Sequence, residues 1–314
     1  MLLIITSEQD HSSLLVIDWL NHIGLPWIRI NEKDAIELSF IENDIKFQLE
    51  SFSFLLSEIK VVWYRRGFLN FKFFISKLFD VDEFRRIELK KLKEYIYYKL
   101  SQLPNINRFE NADVNKLIVT EKASEVGLLT PKEYLVSNKE ILQKILTSTN
   151  TEHATKSISG YGTISSDTVN YKILTKKLDD ANSTPENFFP SLVQEYIEKR
   201  YELRIFYMHG KFWSMAIFSQ SDDTTEVDFR NYNIVKPNRN IPFNVPHHIK
   251  QKIIKLMEKL DLNCGSIDMI VTPQLEFVFL EVNPVGQFGM VSYPCNYYLH
   301  REVAQHLHTL SHGS

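Results

Sequence analysis

A chain of 314 residues has room for two or three domains or one large α/β domain. Apolar residues make up 44% and charged residues 24%, and 36 basic against 39 acidic residues leave a net charge of −3, so no global attraction to nucleic acid is expected. Two cysteines, Cys264 and Cys295, exclude a disulfide scaffold and a cysteine-rich zinc site and suit a reducing, intracellular compartment; no apolar run reaches the roughly 18 residues of a membrane span, and the apolar opening Met1–Thr6 is too short for a signal peptide.

Leu2–Thr6 reads as a buried strand, and Ser12 or Ser13 as the start of a helix that Gly24 ends. Trp27–Ile30 follows as a strand, then a hairpin of Ile36–Phe40 and Ile45–Leu49 around Glu42-Asn43-Asp44. Val61–Tyr64 is a strand with Arg65-Arg66-Gly67 at its end. Phe68, Leu69, Phe71, Phe73 and Phe74 are either core or a partner-facing patch. A charged helix over Asp82–Leu103 stops at Pro104, where a domain boundary is expected. The expected domains are 1–105, 106–191 and 192–314.

In the second domain, Asp113–Val126 reads as a helix closed by Gly127, Glu133–Val136 as a strand, and Ser137 as the cap of a helix to Leu146. His153–Lys156 is a strand leading into a loop with Gly160 and Gly162, and Asp179–Pro190 a connecting loop. Strands over Leu192–Tyr196, Leu203–Met208 and Phe212–Ser219 follow, with His209-Gly210 as the turn between the last two. Then come a helix over Pro246–Leu260, a hairpin of Cys264–Val271 and Glu276–Val282, and a final helix over Tyr298–Leu310. His247 and His248 have no spaced partner and read as surface.

The closing hairpin carries the clearest chemistry. Glu281 and Asn283 lie two apart and therefore share a face. A four-residue loop, Thr272–Leu275, would pair Asp268 with Phe279 and make Asp268 a same-face diagonal neighbour of Glu281; a three-residue loop would put the two acids on opposite faces. Two carboxylates and an amide oxygen on one face suit Mg²⁺ with bound phosphate. Spacing alone leaves a solvated sheet face as the other reading. Lys156 beside a loop with two glycines can cradle phosphate, as an ordinary loop can also look. Gln194-Glu195-Tyr196-Ile197-Glu198-Lys199 with Glu202-Leu203-Arg204 reads by itself as a charged hairpin. Arg230 in Asp228-Phe229-Arg230-Asn231 is either a carboxylate or phosphate clamp or a solvated loop residue.

The order of these elements is more specific than any one of them. Lys116, Lys156, Gln194–Ile197, Glu202-Leu203-Arg204, Asp228–Asn231, Asp268 and Glu281-Val282-Asn283-Pro284 succeed one another in a way that resembles the ATP-grasp superfamily of carboxylate–amine ligases, over about residues 111–304. The stretch around Arg230 looks like ligases that add glutamate to a ribosomal protein. Val62-Trp63-Tyr64-Arg65-Arg66, together with Glu281–Gln287 and Tyr293-Pro294-Cys295-Asn296, is similar to the signatures of ATP-grasp peptide maturases that make graspetides (microviridin-like peptides), above all their grasp-with-spasm branch.

The resemblance implies an α/β protein with α+β elements: an ATP-grasp fold behind an N-terminal α/β domain. It implies an ATP- and Mg²⁺-dependent ligase acting in the cytoplasm on a ribosomal precursor peptide (leader plus core), with neither nucleic acid nor membrane as partner, and a homodimer. Matched residue by residue, it assigns Lys116 and Lys156 to nucleotide phosphates, and Gln194, Glu195, Tyr196 and Ile197 to the adenine hinge. Glu202, with Glu198 as its rival, is assigned to ribose, Arg204 and Arg230 to phosphate or carboxylate, and Asp268, Glu281 and Asn283 to the metal. Asp222, Asp223 and Glu226 are either a contact for a basic leader residue or a solvated loop. A ligase adding free amino acids to a protein or peptide and a non-catalytic nucleotide-binding module are the competing readings.

Overall fold

Five consecutive apolar or β-branched residues make Leu2–Thr6 a fully buried strand, β1, flanked in parallel by β2 (Trp27–Asn31) and β6 (Val61–Tyr64). The computed structural model describes residues 1–313 except 74, 77, 149–150, 160–162, 166–169, 173–174, 179 and 219–237. The chain divides into two units, one of Met1–Asp113, Leu262–Cys264 and Pro284–Ser314, the other of Val114–Asp261 and Gly265–Asn283.

In the first unit, helix α1 (His11–Ile23) starts at Asp10, not at Ser12 or Ser13. The Asp10 carboxylate accepts from the Ser13 N–H at 3.2 Å, and a carboxylate caps better than a hydroxyl already turned back to the Asp10 carbonyl. Strands β3 (Ala35–Ile41) and β4 (Asp44–Gln48) form the expected hairpin, with Glu42 and Asn43 at φ 48° and 72° as a two-residue turn. Short β5 (Ser53–Leu55) and β7 (Asn70–Phe71) complete its sheet. Leu69 and Phe71 enter the core, whereas Phe68 stays exposed. The charged helix α2 (Phe79–Ser101) begins three residues earlier than predicted and buries Ile96, Tyr97 and Leu100 near its end. Strand β8 (Asn105–Ile106) closes the parallel sheet in the order β2-β1-β6-β8.

In the second unit, helix α3 spans Lys116–Glu125. The predicted start at Asp113 is displaced because the Asn115 side chain takes the orphan N–H groups of Leu117 and Ile118, at 3.0 and 3.4 Å. Asn115→Ala should therefore lower stability by about 1 kcal/mol, read from the urea midpoint. Strand β9 (Glu133–Asn138) incorporates Ser137, so Asn138, whose side chain accepts from Ile141 N–H, replaces it at the start of α4 (Lys139–Ser148).

Strand β10 (His153–Lys156) is followed by the short pair β11 (Thr163–Ser165) and β12 (Asn170–Lys172), then β13 (Lys176–Leu178) and β14 (Asn187–Glu195). The predicted loop over Asp179–Pro190 is thus shorter. β14 begins at Asn187 on β9, with a register shift before Ser191 that accommodates Pro190, which has no N–H for the ladder. These strands form the sheet β13-β10-β14-β9.

The second sheet of this unit runs β17-β16-β15-β18-β19. Its members are β15 (Tyr201–Met208), β16 (Lys211–Phe218), β17 (Arg239–Phe243), β18 (Cys264–Val271) and β19 (Phe277–Asn283), with helix α5 (His247–Lys259) between β17 and β18. His209 and Gly210, at φ 45° and 80°, make the tight turn that the sequence predicts between β15 and β16. His247 and His248 are exposed at the start of α5.

The chain then returns to the first unit through α6 (Gly289–Cys295), which the sequence reading did not anticipate, and α7 (Leu299–His312), which packs against α1. Arg65, at the end of β6, is 1% exposed. Its Nε lies 3.4 Å from the Asp10 carboxylate, its Nη1 donates to the carbonyls of Val285 and Gly286 at 2.5 and 3.2 Å, and its guanidinium lies over Phe288. No described helix is long and apolar enough to cross a membrane.

Candidate active site

The β18–β19 hairpin differs from its predicted register in two compensating ways. Thr272 N–H donates to Glu276 O and Glu276 N–H to the Thr272 hydroxyl. Glu276 thus closes a five-residue loop, and Val271 pairs with Phe277 instead. That alone would turn the acids to opposite faces. A bulge between Asp268 and Met269 adds one residue on β19, so Asp268 stands directly opposite Glu281 and Ser266 opposite Asn283. Asp268, Glu281 and Asn283 therefore share one face, with the acids closer than the diagonal placement would allow.

Each carboxylate is met by a cation. Arg204, on β15 beside β18, bonds Asp268, and both side chains are nearly buried. Lys116 leads α3, which packs against β19, and its Nζ lies 2.8 Å from Glu281 Oε2. Asn283 donates its amide N–H to Glu281 Oε1 at 3.3 Å, which leaves the amide oxygen as the donor atom for a cation. Burial raises the Asp268 carboxyl to about 6, helped by Glu281 and Glu202 and opposed by Arg204. Burial pushes Glu281 up too, but Lys116, Asn283 and Lys156 outweigh it and hold this carboxyl below its usual range.

The second sheet face of interest joins β10, β14 and β9. Gln194 pairs with Ala154 on one side and Glu133 on the other, so Glu133, Gln194 and Lys156 share a face. Lys156 Nζ lies 3.9 Å from Glu133 Oε1. Gln194 is buried, and its Oε1 has no hydrogen-bond partner among the described residues. The N–H groups of Glu195 and Tyr196 donate to the carbonyls of Lys132 and Glu152. Lys177 sits 4.1 Å above the Tyr196 ring. Ile197 is half-buried and Glu198 exposed, whereas Glu202 is buried and paired with Lys199. Arg230, the glycines Gly160 and Gly162, and the acidic stretch Asp222, Asp223 and Glu226 lie outside the described residues.

This donor set fits a nucleotide with Mg²⁺. Two carboxylates and an amide oxygen are hard ligands, and among the described residues no group of three His, Cys, Asp or Glu gathers anywhere. An ion held here would be only partly coordinated by protein, as Mg²⁺ is when phosphates complete its shell. The buried orphan oxygen of Gln194 suits an amino group on a ligand. Glu133 is not legible in the sequence; an acid opening a strand after Pro131 carries no signal until that strand is placed beside β14.

No protein-family model matches the chain, and no curated protein matches its sequence. Solved structures do. The macrocyclase MdnC of Microcystis aeruginosa MRC, bound with precursor peptide MdnA, is 24% identical with a TM-score of 0.77, over 98% of this chain and 100% of that one. A RiPP-associated ATP-grasp ligase of Chryseobacterium gregarium, in complex with ADP and a leader and core peptide, is 21% identical with a TM-score of 0.78, over 98% and 95%. The ATP-grasp ligase PsnB, complexed with minimal precursor, Mg and ADP, is 13% identical with a TM-score of 0.72, over 99% and 98%. The fold is therefore the α/β ATP-grasp ligase fold, as the order of elements led us to expect. More narrowly, it is the form of that fold found in these three proteins, two of them solved with a peptide and the third with a minimal precursor.

Proposed function

We propose that this chain is an ATP-dependent peptide ligase that activates Asp or Glu side chains of a ribosomal precursor peptide and joins them to Ser or Thr hydroxyls, or Lys amines, within the same peptide. The observation that carries the reading is the one-faced set Asp268, Glu281 and Asn283 with Lys116 and Arg204 against it, in a fold shared with ligases solved with precursor peptide and nucleotide.

In this reading Asp268, Glu281 and Asn283 would hold one or two Mg²⁺ ions, which supply charge neutralisation for in-line phosphoryl transfer. Lys116 and Lys156 bind the nucleotide phosphates. Gln194, Glu195, Tyr196 and Ile197 form the adenine hinge, and Glu202 rather than the exposed Glu198 holds the ribose. Arg204 and Arg230 stabilise negative charge as the peptide carboxylate takes the γ-phosphate. Displacement of phosphate from that acyl phosphate by a hydroxyl or amine closes an ester or amide ring. The proposal includes the cytoplasm as the site of action, since the reaction consumes ATP. A homodimer is part of the proposal, and the exposed apolar residues Phe84, Ile87, Tyr95 and Tyr98, aligned on one face of α2, support it.

The test is the intact mass of a candidate precursor peptide, such as any small peptide encoded beside this gene, after incubation with the protein, ATP and Mg²⁺. Loss of one water per bond, with ADP formed, is expected. A gain equal to added amino-acid residues would replace the proposal with a tailing ligase, and an unchanged peptide with ATP untouched would sink both.

A further inference from the structure

Glu133 is an acid set among the cations of the proposed phosphate site, and the chemistry above has no use for it. It comes within reach of Lys156 because β9 and β10 flank β14: Glu133 and Ala154 pair with opposite sides of Gln194, and Lys156 lies two residues beyond Ala154. The two charged atoms are 3.9 Å apart, on side chains only 12% and 14% exposed. From α3, Lys116 adds a second positive field at the Glu133 carboxylate. A half-buried carboxylate there subtracts from the potential offered to phosphate, and bound phosphate must take the Lys156 ammonium from it.

We propose that Glu133 is a positioning residue that competes with nucleotide phosphate for Lys156: it holds the lysine in the empty site and weakens ADP binding, so that product leaves. The proposal rests on the nucleotide reading given above and adds a residue that this reading does not assign. A residue with a merely structural role, when replaced, would lower stability and weaken nucleotide binding. A competitor, when replaced, must tighten it.

The experiment is calorimetric titration of the full chain with Mg·ADP, with ADP release followed by stopped flow. Glu133→Gln keeps the size and removes the charge; it is expected to bind ADP roughly tenfold more tightly, with release slowed to match. Glu133→Asp shortens the reach to Lys156 and should tighten binding by a smaller factor, which decides the matter if the glutamine variant does not fold. Lys156→Met should weaken ADP binding, and in that background Glu133→Gln should lose most of its gain. If Lys156→Met weakens ADP binding while both Glu133 variants bind as wild type or less well, the competition is overturned and the nucleotide reading stands. If Lys156→Met has no effect on ADP binding, Lys156 does not touch phosphate and both fall.

Discussion

Glu281→Gln is expected to reduce peptide crosslinking by about a thousandfold or more, the scale lost when a charge that stabilises a transition state is removed from a preorganised site. Glutamine preserves the shape of the side chain and its place opposite Asp268, but removes the negative charge that Lys116 and a divalent cation would share. The effect should appear in binding as well as in turnover. Wild-type chain should bind ADP more tightly with Mg²⁺ than without it, and the variant should show little difference between the two. Near-wild-type crosslinking by Glu281→Gln would overturn the assignment of the β18–β19 face to metal. A uniform loss of ADP affinity, equal with and without Mg²⁺, would instead point to a role in holding Lys116.

Arg65→Met is expected to have the largest effect on stability, about 3 kcal/mol or more, since it removes one partner of a buried charge pair and leaves the other behind. Asp10 is 4% exposed, and in the variant Arg66, at 3.6 Å, would be the cation left beside it among the described residues, with the Thr6 hydroxyl and the Ser13 N–H still donating to its carboxylate. The Val285 and Gly286 carbonyls would also lose their shared donor. Burial depresses the Arg65 pKa, opposed chiefly by Asp10, which is the same dependence seen from the other side. Urea unfolding of the intact chain measures it. A midpoint close to wild type would mean that water reaches Asp10 readily and that the buried pair contributes little.

The chain's local grammar was legible because it is set by neighbours in sequence. The hairpin turns at Glu42-Asn43 and His209-Gly210 sit where the sequence places them, since only a few residue types tolerate positive φ. The strands Leu2–Thr6, Val61–Tyr64 and Cys264–Val271 match largely apolar runs of the right length. Helix starts were less legible: Asp10, Asn115 and Asn138 cap where Ser12 or Ser13, Asp113 and Ser137 had been the candidates. Several polar residues near each start can cap, and packing selects among them. Helix α6 was missed because Pro294 lies inside it, and proline argues against a helix interior.

At the candidate site, the two-residue spacing of Glu281 and Asn283 is enough to put them on one face, because strand side chains alternate. The order of Lys116, Lys156, Gln194–Ile197, Arg204, Asp268 and Glu281 along the chain was enough to suggest the ATP-grasp fold. That Asp268 stands opposite Glu281 is settled by the folded pairing of β18 and β19. A five-residue loop and a bulge each reverse the face, and together they restore it; neither can be read from spacing, because the Thr272–Glu276 bonds and the unpaired residue of β19 are settled between strands. The pairings Lys116–Glu281, Arg204–Asp268 and Lys156–Glu133 were likewise decided in three dimensions. They join residues 165, 64 and 23 positions apart, and an ion pair depends on distance in space, which the sequence does not encode pair by pair.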